Sequence, residues 1–153
     1  MTELHVVLAP VGADVYAVPI DRVLQVAVAP ALTRLVTAPP HVLGLFSLRG
    51  QIVPLLDTSA LLGLGASAAF TFVLVLQSPD GLVGLTATAF PERAVLGVCL
   101  GTSELPGTDG SYLRGDRVVV LLDIDVLLTG ERITPERARR EIASAVAASN
   151  GAG

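Results

Sequence analysis

The chain has 153 residues, a length suited to one domain or to two small lobes sharing a core. Although 52% of it is hydrophobic, no run approaches the roughly 18 consecutive apolar residues of a membrane span, which excludes membrane insertion by a helix. Net charge is −4, every base is arginine, and the one basic cluster (Arg137, Arg139, Arg140) is flanked by Glu136 and Glu141, so direct nucleic-acid binding is not expected.

The N-terminus, Met1 to His5, carries no base ahead of its first apolar run and does not read as a secretory signal. With a single cysteine, Cys99, no internal disulfide is possible. A cytoplasmic chain is expected, with Cys99 buried in the apolar stretch around it.

Along the chain, His5–Leu8 and Tyr16–Ile20 read as a hairpin across Val11-Gly12-Ala13-Asp14. Residues Val23 to Val28 alternate, with Leu24, Val26 and Val28 on one face and Val23, Gln25 and Ala27 on the other. If the first face packs inward, Val23 and Gln25 point to solvent. Phe70–Gln77 and Leu82–Leu85 repeat the hairpin pattern around Ser78-Pro79-Asp80-Gly81.

Two segments are closely similar. Leu48-Arg49-Gly50 leads to Leu55-Leu56-Asp57, and Leu113-Arg114-Gly115 leads to Leu121-Leu122-Asp123. The first triplets lie 65 residues apart and the second 66, so the later copy holds one inserted residue. The hairpins recur at a spacing of 67. This is an internal duplication, with halves at about 4–64 and 70–130. Each unit reads as a hairpin, two strands and one helical turn capped by Asp57 or Asp123, and such units close most easily into small barrels. The predicted fold is mainly β, two small interleaved barrels in one domain over 1–153. A C-terminal helix is expected over 134–149, opened by Thr134-Pro135-Glu136.

Signals for chemistry are sparse. His5 and His41 lack metal-site spacing, and Asp123-Ile124-Asp125 is better read as helix capping than as an ion site. No glycine-rich loop precedes a long helix, so Leu62-Gly63-Leu64-Gly65-Ala66 reads as a connection between the halves. No cofactor, metal or catalytic residue is expected.

The segment Pro39-Pro40-His41-Val42-Leu43-Gly44-Leu45-Phe46-Ser47-Leu48-Arg49-Gly50-Gln51-Ile52-Val53-Pro54-Leu55-Leu56-Asp57 resembles the signature of the CheW family, the adaptors of bacterial chemotaxis. The order of elements from Val7 to about Leu128 is similar as well. The resemblance implies two SH3-like barrels around a shared core and a non-catalytic scaffold. It also implies coupling of a methyl-accepting chemotaxis receptor to a CheA-type histidine kinase. By the same resemblance the receptor tip packs along a groove between the barrels, with Val23, Gln25, Gly44, Leu45, Arg49 and Gly50 as its contacts. Alternation along the strand places Leu45, Ser47 and Arg49 on one side, a shared exposed face. Arg49 either binds the receptor or makes an internal bond to a neighbouring loop, and Gly44 and Gly50 either make contact or satisfy a backbone bend.

The chain departs from the family pattern at Ser47 (Asn in the family), at Gln25 (an acid) and at Ala87-Thr88 (Val-Asp). The stretch Leu105–Arg117 is short by about one strand of five residues, which predicts an incomplete second barrel. Three readings follow: a receptor–kinase coupler, a divergent paralogue of the FrzB type that has lost kinase docking, and an enzyme or small-ligand binder with a pocket of convergent polar groups.

Overall fold

β-Branched and leucine residues dominate short runs bounded by Gly, Pro or Asp, and in the computed structural model these runs pair into two sheets. The structure describes residues 3–34, 39–66, 69–79 and 81–128. In chain order the elements are β1 (Leu4–Val11), β2 (Asp14–Pro19), a 3-10 turn (Ile20–Arg22), β3 (Val23–Val28), β4 (Val42–Leu48), β5 (Gln51–Leu56) and α1 (Thr58–Leu61). The second half follows with β6 (Phe72–Ser78), β7 (Gly81–Ala87), β8 (Glu92–Leu96), β9 (Val98–Gly101), β10 (Thr108–Arg114), β11 (Arg117–Leu122) and α2 (Ile124–Leu127). The helix expected over 134–149 lies outside the described residues.

One sheet runs β8-β1-β2-β11-β10-β9 and the other β3-β6-β7-β5-β4. Neither belongs to one half of the sequence. The hairpin β1–β2 sits with the later strands of the second half, and β6–β7 sits with those of the first. The exchange is symmetric under the 67-residue shift. Val6 pairs with Pro19 and with Ala94, and Val73 pairs with Thr86 and with Ala27. The two parallel joints match as well, Leu121 with Ala17 and Leu55 with Gly84. The mainly β, two-barrel fold read from the sequence is what the structure shows, with the halves interleaved.

Both sheets curl closed. β8 and β9 are separated only by Gly97, yet β8 pairs with β1 and β9 with β10, the opposite ends of the sheet. In the other sheet, the chain beyond β3 returns to β4 through Thr33, whose N–H donates to Leu45 O at 2.8 Å while Leu45 N donates to Thr33 O at 2.8 Å. The expected gap in the second barrel is therefore absent. The bent β8–β9 segment supplies the closing strand, and β10–β11 pair up to the two-residue turn Gly115-Asp116 without needing a longer loop.

Each barrel has its own interior, Val6, Leu8, Ala17, Leu96, Val119 and Leu121 in one and Phe46, Val53, Leu55, Val73 and Val75 in the other. The larger cluster lies on the opposite faces of the same strands, where Val7, Val18, Leu56, Leu74, Leu76, Leu85, Leu122 and Leu127 fuse the barrels. Burial of such a side chain contributes about 1.5–3 kcal/mol, so most of the stability depends on contacts between halves. Asp57 caps α1 by accepting from Ser59 N at 3.1 Å and Ala60 N at 3.3 Å, and Asp123 caps α2 from Val126 N at 3.2 Å, as the sequence indicates. Cys99 corrects an expectation. It is exposed, because β9 turns out past Gly97 and none of its residues is covered.

Neither half can close a barrel alone. Residues 1–65 and 66–153, produced as separate chains, should each lack a cooperative unfolding transition and regain one on mixing. A sharp transition in either half alone, by calorimetry or denaturant titration, would contradict the exchanged topology.

Candidate functional site

The duplication creates a groove at its own symmetry axis. Val23–Val26 of β3 form one wall and Phe90–Arg93, at the start of β8, form the other. A shift of 67 residues carries the first wall onto the second. Val7 and Ile20 also line the groove, whose volume is about 400 Å³. Its polar groups are Gln25, Glu92 and Arg93, and the remainder is apolar. Phe90 meets Phe72 edge-on, with ring centroids 5.3 Å apart, which fixes its ring at the groove while leaving it largely exposed. Beside the 3-10 turn, Arg22 donates to Asp125 at 2.6 Å and ties the start of β3 to α2.

The facing of β3 differs from the simple alternation. Leu24 is 52% exposed and Val28 72% exposed, whereas Val23 is half-buried against the shared core. Val23, Gln25 and Ala27 are half-buried while Leu24 and Val28 face solvent, so the expected outward Val23/Gln25 face is reversed along the strand, and a bulge between Val23 and Gln25 shifts its register with β6. Because β3 forms the groove wall at the bulge, Val23 and Gln25 line it together with Leu24 and Val26.

The other candidates lie on the β4–β5 hairpin and are not among the groove's lining residues. Leu45 is 1% exposed and belongs to the shared core, so it cannot supply a surface contact. The register is regular from Gly44 to Leu48, so Leu45 and Ser47 do share a face, but that face is covered by the shared core at Leu45 and open only at Ser47, nearer the turn. Gly44 is buried where the returning chain crosses β4. A Cβ there would lie 2.7 Å from Thr33 O and 3.3 Å from Leu32 Cβ, so glycine is required by the close approach.

Arg49 and Gly50 form the two-residue turn between Leu48 and Gln51. Their φ values are 50° and 80°, the type I′ pattern that matches strand twist. Arg49 is the only non-glycine residue with positive φ among the described residues. An L-residue held there costs about 1 kcal/mol, and Asn or Gly is the usual occupant. Its side chain is exposed and makes no hydrogen bond or ion pair among the described residues, so no bond to a neighbouring loop accounts for it. A strained turn thus holds a free guanidinium in solvent.

Periodicity alone missed Phe90, Glu92 and Arg93. The duplication could have found them, since adding 67 to Val23, Gln25 and Val26 gives those positions. Thr88, where the chain departs from the family pattern, has a local structural role. Its Oγ1 accepts from Gly12 N at 2.9 Å and its N–H donates to Pro10 O at 2.8 Å, bracing the β1–β2 turn. Among the described residues, no three His, Cys, Asp or Glu cluster as metal ligands, and no helix is long and apolar enough to cross a membrane.

Replacing Arg49 by Gly should raise the unfolding free energy by about 1 kcal/mol, seen as a higher denaturant midpoint at unchanged m-value. Gly44→Ala should lower it by about 1–3 kcal/mol through overpacking. A destabilised Arg49→Gly would mean the guanidinium supports the fold.

A family model described as a CheW-like domain matches residues 5–132. The chain is 27% identical to the chemotaxis protein CheW of Helicobacter pylori over 77% of each sequence. It also superposes on the crystal structure of the scaffolding protein TtCheW from Thermoanaerobacter tengcongensis with a TM-score of 0.74. That match covers 87% of this chain and 97% of the other at 16% identity, a likeness of fold.

Proposed function

The chain belongs to the CheW-like domain family of chemotaxis scaffolds, and from that premise we propose that it couples the cytoplasmic tip of a chemoreceptor to a CheA-type histidine kinase without catalysing a reaction itself. The observation that carries the receptor half of this reading is the groove on the pseudo-two-fold axis. It is open, mostly apolar, and lined by two equivalent strand segments that leave Leu24 and Phe90 exposed. An amphipathic segment lays its apolar face into such a surface, and the few polar groups set register. Gln25, Glu92 and Arg93 are placed for that second role. Arg49 adds a planar five-donor fork suited to a carboxylate or to backbone carbonyls of the receptor.

Gly44 and Leu45 serve in this reading as support. Gly44 admits the Thr33 crossing and Leu45 anchors β4 in the core, so substitutions there would act through the position of the hairpin. Gly50 permits the turn that presents Arg49. The completeness of the second barrel favours retained kinase docking over its loss, since the ground for expecting loss was a missing strand. The working compartment is the cytoplasm, where receptor tips and the kinase lie. A small-ligand or enzymatic role has little support, because the groove's three polar groups do not converge with a nucleophile, a metal cluster or a histidine.

Calorimetric titration with a cytoplasmic receptor fragment tests the receptor half. Arg49→Glu and Leu24→Asp should each weaken binding by about tenfold or more, about 1.4 kcal/mol, with the melting temperature held or raised. Wild-type affinity in both variants would refute the assigned surface. Titration with the kinase regulatory domain, in which Arg49→Glu should bind normally, separates the two partners.

A further inference from the structure

The groove between β3 and β8 is longer than its enclosed part. Val28, two residues beyond Val26 on β3, and Val95, two beyond Arg93 on β8, continue its walls, and a shift of 67 residues relates them. Both are exposed, as are Leu24 and Phe90, and Phe72 lies opposite Val28 on β6. The 6 residues of β3 give a trough about 17 Å long. Its ionic groups, Glu92 and Arg93, are confined to the β8 wall, where the equivalent residues of β3 are Gln25 and Val26. A two-fold backbone thus presents one neutral wall and one charged wall.

Leu128, the last described residue, follows α2, and the Arg22–Asp125 ion pair at 2.6 Å holds α2 against the residue that precedes β3. Residues 129–133 span about 17 Å when extended. Residues 134–149, read from the sequence as a helix, are about 24 Å long in that form. In the first half, the chain leaving α1 crosses to Phe72, whose ring meets Phe90 at the groove. The 66-residue shift that carries α1 onto α2 carries that crossing onto the residues after Leu128.

The tail also has the right pattern for this trough. Ala138, Ile142, Ala145 and Val146 fall on one face of a helix, and no charged residue occurs from Ile142 to Ser149. Arg137 and Glu141, four apart, stand on one shoulder of that face. A helix of this length is marginal alone in water and gains its stability by laying an apolar face on a surface.

We propose that residues 134–149 lie as a helix in the groove of their own chain, with Ile142 and Val146 against Leu24, Val28 and Phe90. Arg137 then faces Glu92 and Glu141 faces Arg93. These pairs fix the direction of the helix more than its affinity, since exposed ion pairs contribute little. Being tethered, the tail has an effective concentration at the groove on the order of millimolar, and any free partner must displace it. Such competition controls receptor binding only if the groove is the receptor site; occupancy by the tail is independent of that.

Paramagnetic relaxation in the full ¹⁵N-labelled chain tests the tail's position. With Cys99→Ser and Ala147→Cys, a nitroxide is attached on the side of the helix away from its apolar face, and amide intensities are compared with the label oxidised and reduced. The amides of Leu24, Val26, Val28, Arg93 and Val95 are expected to lose most of their intensity, more than any other described surface. Ile142→Asp should restore these signals while the spectrum stays dispersed, and Ser144→Asp, on the opposite side of the helix, should leave the loss intact. Arg93→Glu should weaken the broadening, and adding Glu141→Arg should bring it back. Broadening centred on Val98, Leu113 and Val118, broadening spread evenly, or none at all would overturn the proposal. So would groove broadening in a mixture of unlabelled ¹⁵N chain and nitroxide-labelled ¹⁴N chain, by making the occupant the tail of a second copy.

Discussion

The parallel joints between β2 and β11 and between β5 and β7 are the contacts on which the rest of the molecule depends. Each joins a strand of one sequence half to a strand of the other. Without them a hairpin would leave an open edge, and its buried-facing leucines and valines would meet water. Because the two joints are equivalent under a shift of 67 residues for β2 and β7 and 66 for β5 and β11, the barrels sit about a pseudo-two-fold axis and share the core around Leu56, Leu74, Leu85 and Leu122. Small differences between the copies then show as local asymmetries. Ala17 tolerates its methyl group in one barrel, but at the equivalent Gly84 a Cβ would lie 2.9 Å from Val73 Cγ1 and 3.0 Å from Phe46 Cε1.

The groove follows from that symmetry. Two strands leaving the exchanged hairpins must diverge at the axis, and the space between them is walled by equivalent residues from the two halves. A scaffold needs surfaces that stay formed without a ligand, since any ordering cost is subtracted from affinity. Here Val23 and Ile20 rest on the shared core, and among the described residues the one non-glycine with positive φ is Arg49 in its turn.

Much of the architecture was legible in the chain. The duplication, the hairpins, the helix caps at Asp57 and Asp123 and the mainly β class all rest on spacing and local chemistry, which act over a few residues. The errors fell where packing between the barrels or a bend intervened. Alternation sorted the residues of β3 and β4 into faces but could not say which face the second barrel would cover, and the shared core takes Val23 and Leu45. Cys99 sits in an apolar run that reads as core, yet β9 lies at the rim of its sheet. The shortened stretch before β11 suggested a lost strand, which the bend at Gly97 supplies.

By itself, then, the sequence determined that the chain is a duplicated β protein of the chemotaxis-scaffold kind. Those features live in local pattern and in a motif long enough to be specific. Only the tertiary structure decided that the halves exchange hairpins, that the groove lies on their axis, and that Arg114, in the second Leu-Arg-Gly triplet, flanks a cavity instead of standing in the turn as Arg49 does. The reason is physical. A one-residue change in register alters no composition and barely alters periodicity, but it rotates a side chain by half a strand repeat and moves it from a turn to a pore-like rim.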